Sequence, residues 1–202
     1  MQKDPTNGSG VKAEEFMKTG VIRKMSHLER AFYQIPGLKV TLVARITGKV
    51  DANKLQKAID RIPQKHPLLG ARVVFDAKNT AWFTMADAEK PKLKLRKRSS
   101  SALWFNELQK MQAEMFEPQQ RPMADYMLIY DDEGADMIFI ISHAITDGTA
   151  MVLLLRDLMN LYADPQLQPE QVIPLQMSDY MAPAKPSLKR WITNQYVSKY
   201  NK

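Results

Sequence analysis

Met137-Ile138-Phe139-Ile140-Ile141-Ser142-His143-Ala144-Ile145-Thr146-Asp147-Gly148-Thr149 is the stretch on which both the fold and the chemistry of this chain turn. Its first five residues are continuously apolar, the pattern of a strand buried on both faces. Over residues 147–162, Met151, Leu154, Leu155 and Leu158 recur at helical spacing. A strand end joined to a helix by so short a loop holds an imidazole rigidly at the rim of a cleft. His143 suits general-base work because the unperturbed imidazole titrates near neutrality. Asp147 can brace the loop, either by capping the helix or by pairing with an arginine. Gly148 permits close backbone approach where a side chain would obstruct. The bland alternative is a structural histidine at a strand end followed by an ordinary helix cap, and a motif this short has many false matches.

Upstream, residues 125–142 read as two strands, 125–130 and 136–142, around the turn Asp131-Asp132-Glu133-Gly134. Residues 21–34 predict a helix with Met25, Leu28 and Phe32 on one face, broken by Pro36-Gly37. Residues 38–46, rich in Val, Leu, Ile and Thr, predict a strand closed by Gly48. Asp51 is a good N-cap for a helix whose stripe is Leu55, Ala58, Ile59 and Ile62, with Pro67 just beyond its end. Residues 71–75 and 81–85 form a pair of strands joined by Asp76-Ala77-Lys78-Asn79. Ser99-Ser100-Ser101 predicts the cap of a helix to Phe116, with Trp104, Leu108, Met111 and Met115 as a core stripe. After Ala163 five prolines (165, 169, 174, 183 and 186) give the chain the character of a crossover or linker, and residues 191–202 restart a helix. The expected organisation is a flexible segment 1–20, a lobe 21–162 and a connecting segment 163–202. The expected fold class is α+β, a mixed β-sheet flanked by helices.

The 202 residues, 45% hydrophobic and 25% charged, are enough for one domain or one lobe of a larger fold. The absence of cysteine excludes disulfides and thiolate metal sites, and His27, His66 and His143 lie at no metal-ligand spacing, so no metal is expected. No apolar run reaches the length of a membrane span, and the N-terminus lacks the apolar region of a signal peptide, so a cytoplasmic protein is expected. The formal net charge is +7, and Lys90, Lys92, Lys94, Arg96, Lys97 and Arg98 cluster tightly. Alternation of these charges with Leu93 and Leu95 fits a solvated edge strand, which lysines protect from aggregation. No zinc finger, aromatic RNA-binding run or Gly-rich RNA clamp accompanies them, so nucleic acid is an unfavoured partner.

Four stretches, in order, resemble one family. His143-x-x-x-Asp147-Gly148 resembles the HxxxDG motif of the acyltransferase superfamily that contains chloramphenicol acetyltransferase, peptide-synthetase condensation domains, and alcohol or polyketide-associated acyltransferases. Residues 50–59 look like that family's second helix, Lys65-His66-Pro67-Leu68-Leu69 resembles its RHP-x-L, and residues 116–123 resemble the segment before its strand pair. The resemblance implies the N-terminal lobe of the two-lobed chloramphenicol acetyltransferase-like fold, with His143 as general base on an acceptor hydroxyl or amine. The acceptor attacks the thioester of acyl-CoA or of an acyl-carrier phosphopantetheine, with no tightly bound cofactor. It also implies that Asp147 is structural, held by an arginine for which Arg23 and Arg72 are candidates, and that Gly148 keeps the substrate tunnel open.

The chain departs from the family at Ser142, where condensation domains usually carry a further histidine; this points toward acyl-CoA transferases and away from amide synthesis. Lys65 replaces the common arginine, and Gly70 stands where another often follows. Family members are roughly twice this length, so the second lobe is expected from further sequence or another chain. The competing function is a non-catalytic carrier-protein or protein-interaction module built on half of this fold.

Overall fold

The computed structural model describes residues 20–35 and 37–173. Two sheets organise them. The larger has strand order β2 (Lys39–Thr47), β7 (Gly134–Ser142), β6 (Ala124–Tyr130) and β5 (Leu93–Lys97). It is mixed: β2, β7 and β6 are antiparallel neighbours, whereas β5 runs parallel to β6. The smaller sheet has the order β1 (Val21–Lys24), β4 (Ala81–Thr84) and β3 (Arg72–Phe75). The helices are α1 (His27–Gln34), α2 (Ala52–Lys65), α3 (Leu103–Ala113) and α4 (Gly148–Ala163), with a 3-10 turn at Pro67–Gly70. None of the helices in the described residues is long and apolar enough to cross a membrane.

Every residue of β7 is buried, as its apolar run requires. Its side chains alternate between faces. Met137, Phe139 and Ile141 meet Leu55, Ile59 and Ile62 of α2 and Leu154 and Leu158 of α4. Ile138 and Ile140 point the other way, onto Met111 of α3. Full burial of such a side chain stabilises by about 1.5–3 kcal/mol, so β7 contributes heavily to the core of the lobe. Gly134 opens it because any Cβ there would collide with the Ile46 carbonyl oxygen. A third cluster, Met25, Val73, Phe83 and Met123, lies under the small sheet.

The helix expected over 21–34 is shorter. Residues 21–24 pair with β4 as a strand, and the helix starts only after Ser26. There a capping box decides the start: Ser26 Oγ accepts from Glu29 N, and Glu29 accepts from Ser26 N at 2.7 Å. The resulting α1 buries no residue fully, and Leu28 is 44% exposed. The helix before Phe116 also differs. Ala102 occupies its N-cap with no side-chain bond, so the three serines do not cap it, and it ends at Ala113. Lys39 Nζ binds the carbonyls of Met111, Gln112 and Glu114, closing the helix and leaving Met115 57% exposed.

The basic strand β5 lies at a sheet edge, as its pattern predicts. Half of its charge cluster is internally matched: Lys94 with Glu114, Arg96 with Glu107, and Arg98 with Asp131 and Asp136. Residues 164–173 run irregularly beside α2, tied by Arg61 to the Pro165 and Leu167 carbonyls and by Val172 N to Lys65 O at 2.8 Å. The helix expected over 191–202 and the segment 1–19 lie outside the described residues.

Candidate functional site

The loop after β7 is fixed through its backbone. His143 N donates to Leu38 O at 3.0 Å and Ser142 N to Met123 O at 3.0 Å. Ile145 N closes a turn onto Ser142 O at 3.1 Å, and buried Ser142 accepts at its Oγ from Ala144 N at 3.3 Å. Ala144 and Thr146 are buried, while Ile145 packs against both the main core and the core under the small sheet. The loop is therefore wedged between two packed bodies, and the backbone of His143 has little freedom to move.

The imidazole itself is handled differently. It is half-buried, and its ring centroid lies 5.0 Å from that of Phe32, tilted by 49°. It forms no hydrogen bond with any described residue. Neither ring nitrogen is therefore engaged by a described residue.

Asp147 acts as the N-cap of α4. Its Oδ1 accepts from Ala150 N at 2.8 Å, which places a carboxylate at the positive end of the helix. The arginine brace is not formed among the described residues. Arg23 instead pairs with Glu29 at 2.5 Å, and Arg72 is held by the Ala86 and Gln119 carbonyls and by Asp87. Among the described residues, capping is the role Asp147 takes. Gly148 is exposed, and a Cβ added to it would meet nothing within 4 Å. Among the described residues, packing does not demand glycine there. At Gly70, by contrast, a Cβ would lie 2.8 Å from the Pro63 Cβ, which explains why no arginine follows the Lys65-His66-Pro67 segment.

His66 lies outside the predicted site yet belongs to a second polar centre. Its Nε2 is 2.8 Å from Asp157 Oδ2, Lys65 Nζ is 3.1 Å from the same oxygen, and Arg156 binds Oδ1 at 3.0 Å. Asp157 is only 4% exposed. Burial pushes its carboxyl up, but the hydrogen bonds from His66, Lys65 and Arg156 outweigh this and hold it below its ordinary value. The signal was visible in the sequence: Asp157 interrupts the stripe of Leu154, Leu158 and Leu161, and a carboxylate in a buried stripe requires cations. Between this centre and the motif loop lies a cavity of 450 Å3, bounded by Leu68, Leu69, Ile145, Thr146, Leu153 and Leu154. No cluster of metal-ligating side chains occurs among the described residues.

Comparison with known proteins places these features in a family. The condensation domain model matches residues 28–189. Bacitracin synthase 3 of Bacillus licheniformis is 26% identical over 157 residues, covering 73% of this chain and 2% of that protein. Among solved structures, the starter condensation domain of the rhizomide synthetase RzmA aligns with a TM-score of 0.67 at 9% identity, over 89% of this chain and 48% of that one. The X-domain of teicoplanin biosynthesis, solved in complex with OxyB, gives a TM-score of 0.64 at 17% identity, over 79% of this chain and 37% of that one. The chain spans less than half the length of these solved chains. These likenesses carry the α+β fold, mixed sheet and flanking helices included, and the family match extends through the HxxxDG loop. The chain belongs to the condensation domain family.

Proposed function

We propose that this chain is the histidine-bearing lobe of a thioester-dependent acyltransferase of the condensation type, with His143 as the general base. The observation that carries this reading is the contrast within one residue: a backbone fixed by Leu38 O and two packed cores, and a ring that packs on Phe32 but has no hydrogen-bond partner among the described residues. The imidazole accepts a proton from the acceptor amine or hydroxyl as that atom attacks the thioester carbonyl. A C–N or C–O bond forms, the tetrahedral oxyanion collapses, the C–S bond breaks, and the thiolate leaves with the proton held by His143. Ser142 and Asp147 support the loop, and Gly148 leaves its approach open.

The condensation match favours a phosphopantetheine thioester on a carrier protein over acyl-CoA as the donor, despite Ser142 at the position of the first histidine. The segment 21–162 forms the first lobe and 163–202 leads toward a second, since the matched part of this chain covers only 48% and 37% of similar solved chains. The second lobe supplies the opposite wall of the site. The test is His143→Ala in the protein carrying both lobes, assayed for acyl transfer. The expected loss is about 10²–10⁴-fold with an unchanged urea midpoint; undiminished turnover overturns the assignment.

A second reading has its own support. The X-domain of teicoplanin biosynthesis is known bound to OxyB, and Val152, 60% exposed on α4, adds apolar surface beside the motif. On that reading the chain is a protein- or carrier-binding module. It is favoured if the two-lobed protein binds a carrier yet transfers no acyl group, with or without His143.

A further inference from the structure

The 450 Å3 cavity has two unlike ends. One is apolar and adjoins the motif: Ile145 and Thr146, two and three residues beyond His143, form a wall of it, facing Leu68, Leu69, Leu153 and Leu154. The other end is the charge cluster around Asp157. There Lys65 and Arg156 face one carboxylate, so a positive charge is in excess even with His66 neutral. Asp157 uses both its oxygens on these partners, whereas Lys65 and Arg156 keep N–H donors to spare. A cavity with an apolar body and surplus donors at its far end discriminates by what reaches that end.

We propose that this cavity receives the acyl group of the donor and selects acyl chains bearing an anionic far end, such as an ω-carboxyacyl thioester, through Lys65 and Arg156. The proposal rests on the acyltransferase reading for its orientation, with the thioester toward the His143 loop and the free carboxylate toward α4. An unsubstituted acyl chain of equal length fills the same apolar body but leaves the excess positive charge unmatched. A carboxylate there accepts charge-assisted hydrogen bonds, which are roughly twice as strong as neutral ones.

The test uses two synthetic probes, S-octanoyl-pantetheine and its ω-carboxy counterpart, titrated calorimetrically into the chain at low salt. The expected preference for the ω-carboxy thioester is about tenfold, the contribution of one charge-assisted hydrogen bond. Arg156→Gln and Lys65→Gln should each reduce that preference to about threefold or less. Arg156 is 61% exposed at its side chain, so its variant folds even if the loss of Lys65 proves disruptive. Leu153→Trp, which fills the apolar body, should weaken both probes. Equal or weaker binding of the ω-carboxy probe, a preference that survives in both charge variants, or unchanged affinities in Leu153→Trp overturns the proposal. Turnover by His143→Ala is scored separately. Its loss with no ω-carboxy preference sinks the pocket and leaves the base. Its retention beside a clear preference sinks the base and leaves the pocket as a binding site.

Discussion

His66 and His143 each follow directly on a core element, one on helix α2 and the other on strand β7, yet their rings are treated in opposite ways. The His66 ring is tied to a buried carboxylate that two further cations also hold. The His143 ring packs on Phe32 and makes no hydrogen bond among the described residues, although its main chain is held by Leu38 O. A histidine whose nitrogen is committed to a buried charge pins two helices together. One with a fixed backbone and ring nitrogens not bonded by any described residue is the kind that general-base chemistry can use. On the proposed function, the difference separates a structural from a catalytic histidine in the same lobe, and substitutions at both can break it.

The largest effects divide along that line. His143→Ala should remove acyl transfer by about 10²–10⁴-fold in the two-lobed protein while changing the stability of the lobe by less than about 0.5 kcal/mol. His66→Ala should do the reverse. Loss of its charge-assisted bond to Asp157 is expected to lower stability by about 2 kcal/mol in urea titrations. A destabilised His143→Ala, or a His66→Ala that unfolds at the wild-type midpoint, would erase the distinction.

Acidification sharpens it. The folded Asp157 carboxyl lies below its ordinary value of 3.8: burial raises it, and His66, Lys65 and Arg156 lower it further than burial raises it. A carboxyl depressed by folding contributes stability that is complete above the unfolded value and lost as pH falls through the folded one. Wild-type stability should therefore fall below about pH 4, and Asp157→Asn should show a smaller fall over the same window. Equal acid sensitivity of the two proteins would mean that the cluster around Asp157 does not hold α4 against α2.

Much of this was legible in the sequence, for physical reasons that also mark where it was not. Strand β7 and helix α2 announce themselves because their burial is continuous or periodic, and Asp51 caps α2 through Asn53 N and Lys54 N as its position predicts. The four residues of β1 are too few to show a two-residue period, and the spacing of Met25, Leu28 and Phe32 imitates a helix. What makes 21–24 a strand is pairing with β4, sixty residues away, which local pattern does not contain. The HxxxDG loop was likewise visible, but the choice between cap and arginine pair for Asp147 depends on where Arg23 lies in space. Arg23 donates to Glu29, the same residue that closes the capping box with Ser26. Asp157 was passed over because a helical stripe is counted by its apolar members, and the polar exception carried the information.

The smallest expected effects are also the most diagnostic of what the motif's Asp-Gly pair is for. Asp147→Ala removes one N-cap bond and should lower stability by about 1 kcal/mol, whereas Asp147→Asn, an equally good cap, should be near neutral. If Asp147→Asn nonetheless impairs acyl transfer in the two-lobed protein, its charge meets a partner outside the described lobe, and capping is only part of its role. Gly148→Ala adds a methyl into open space at the first residue of α4, where alanine is a good helix former. Its stability should stay within about 0.5 kcal/mol of wild type or rise slightly. Since the fold makes no use of the missing side chain, any loss of transfer by this variant must come from the approach of carrier arm or acceptor. Full activity with unchanged stability would instead show that the glycine beside His143 serves neither the fold nor the reaction.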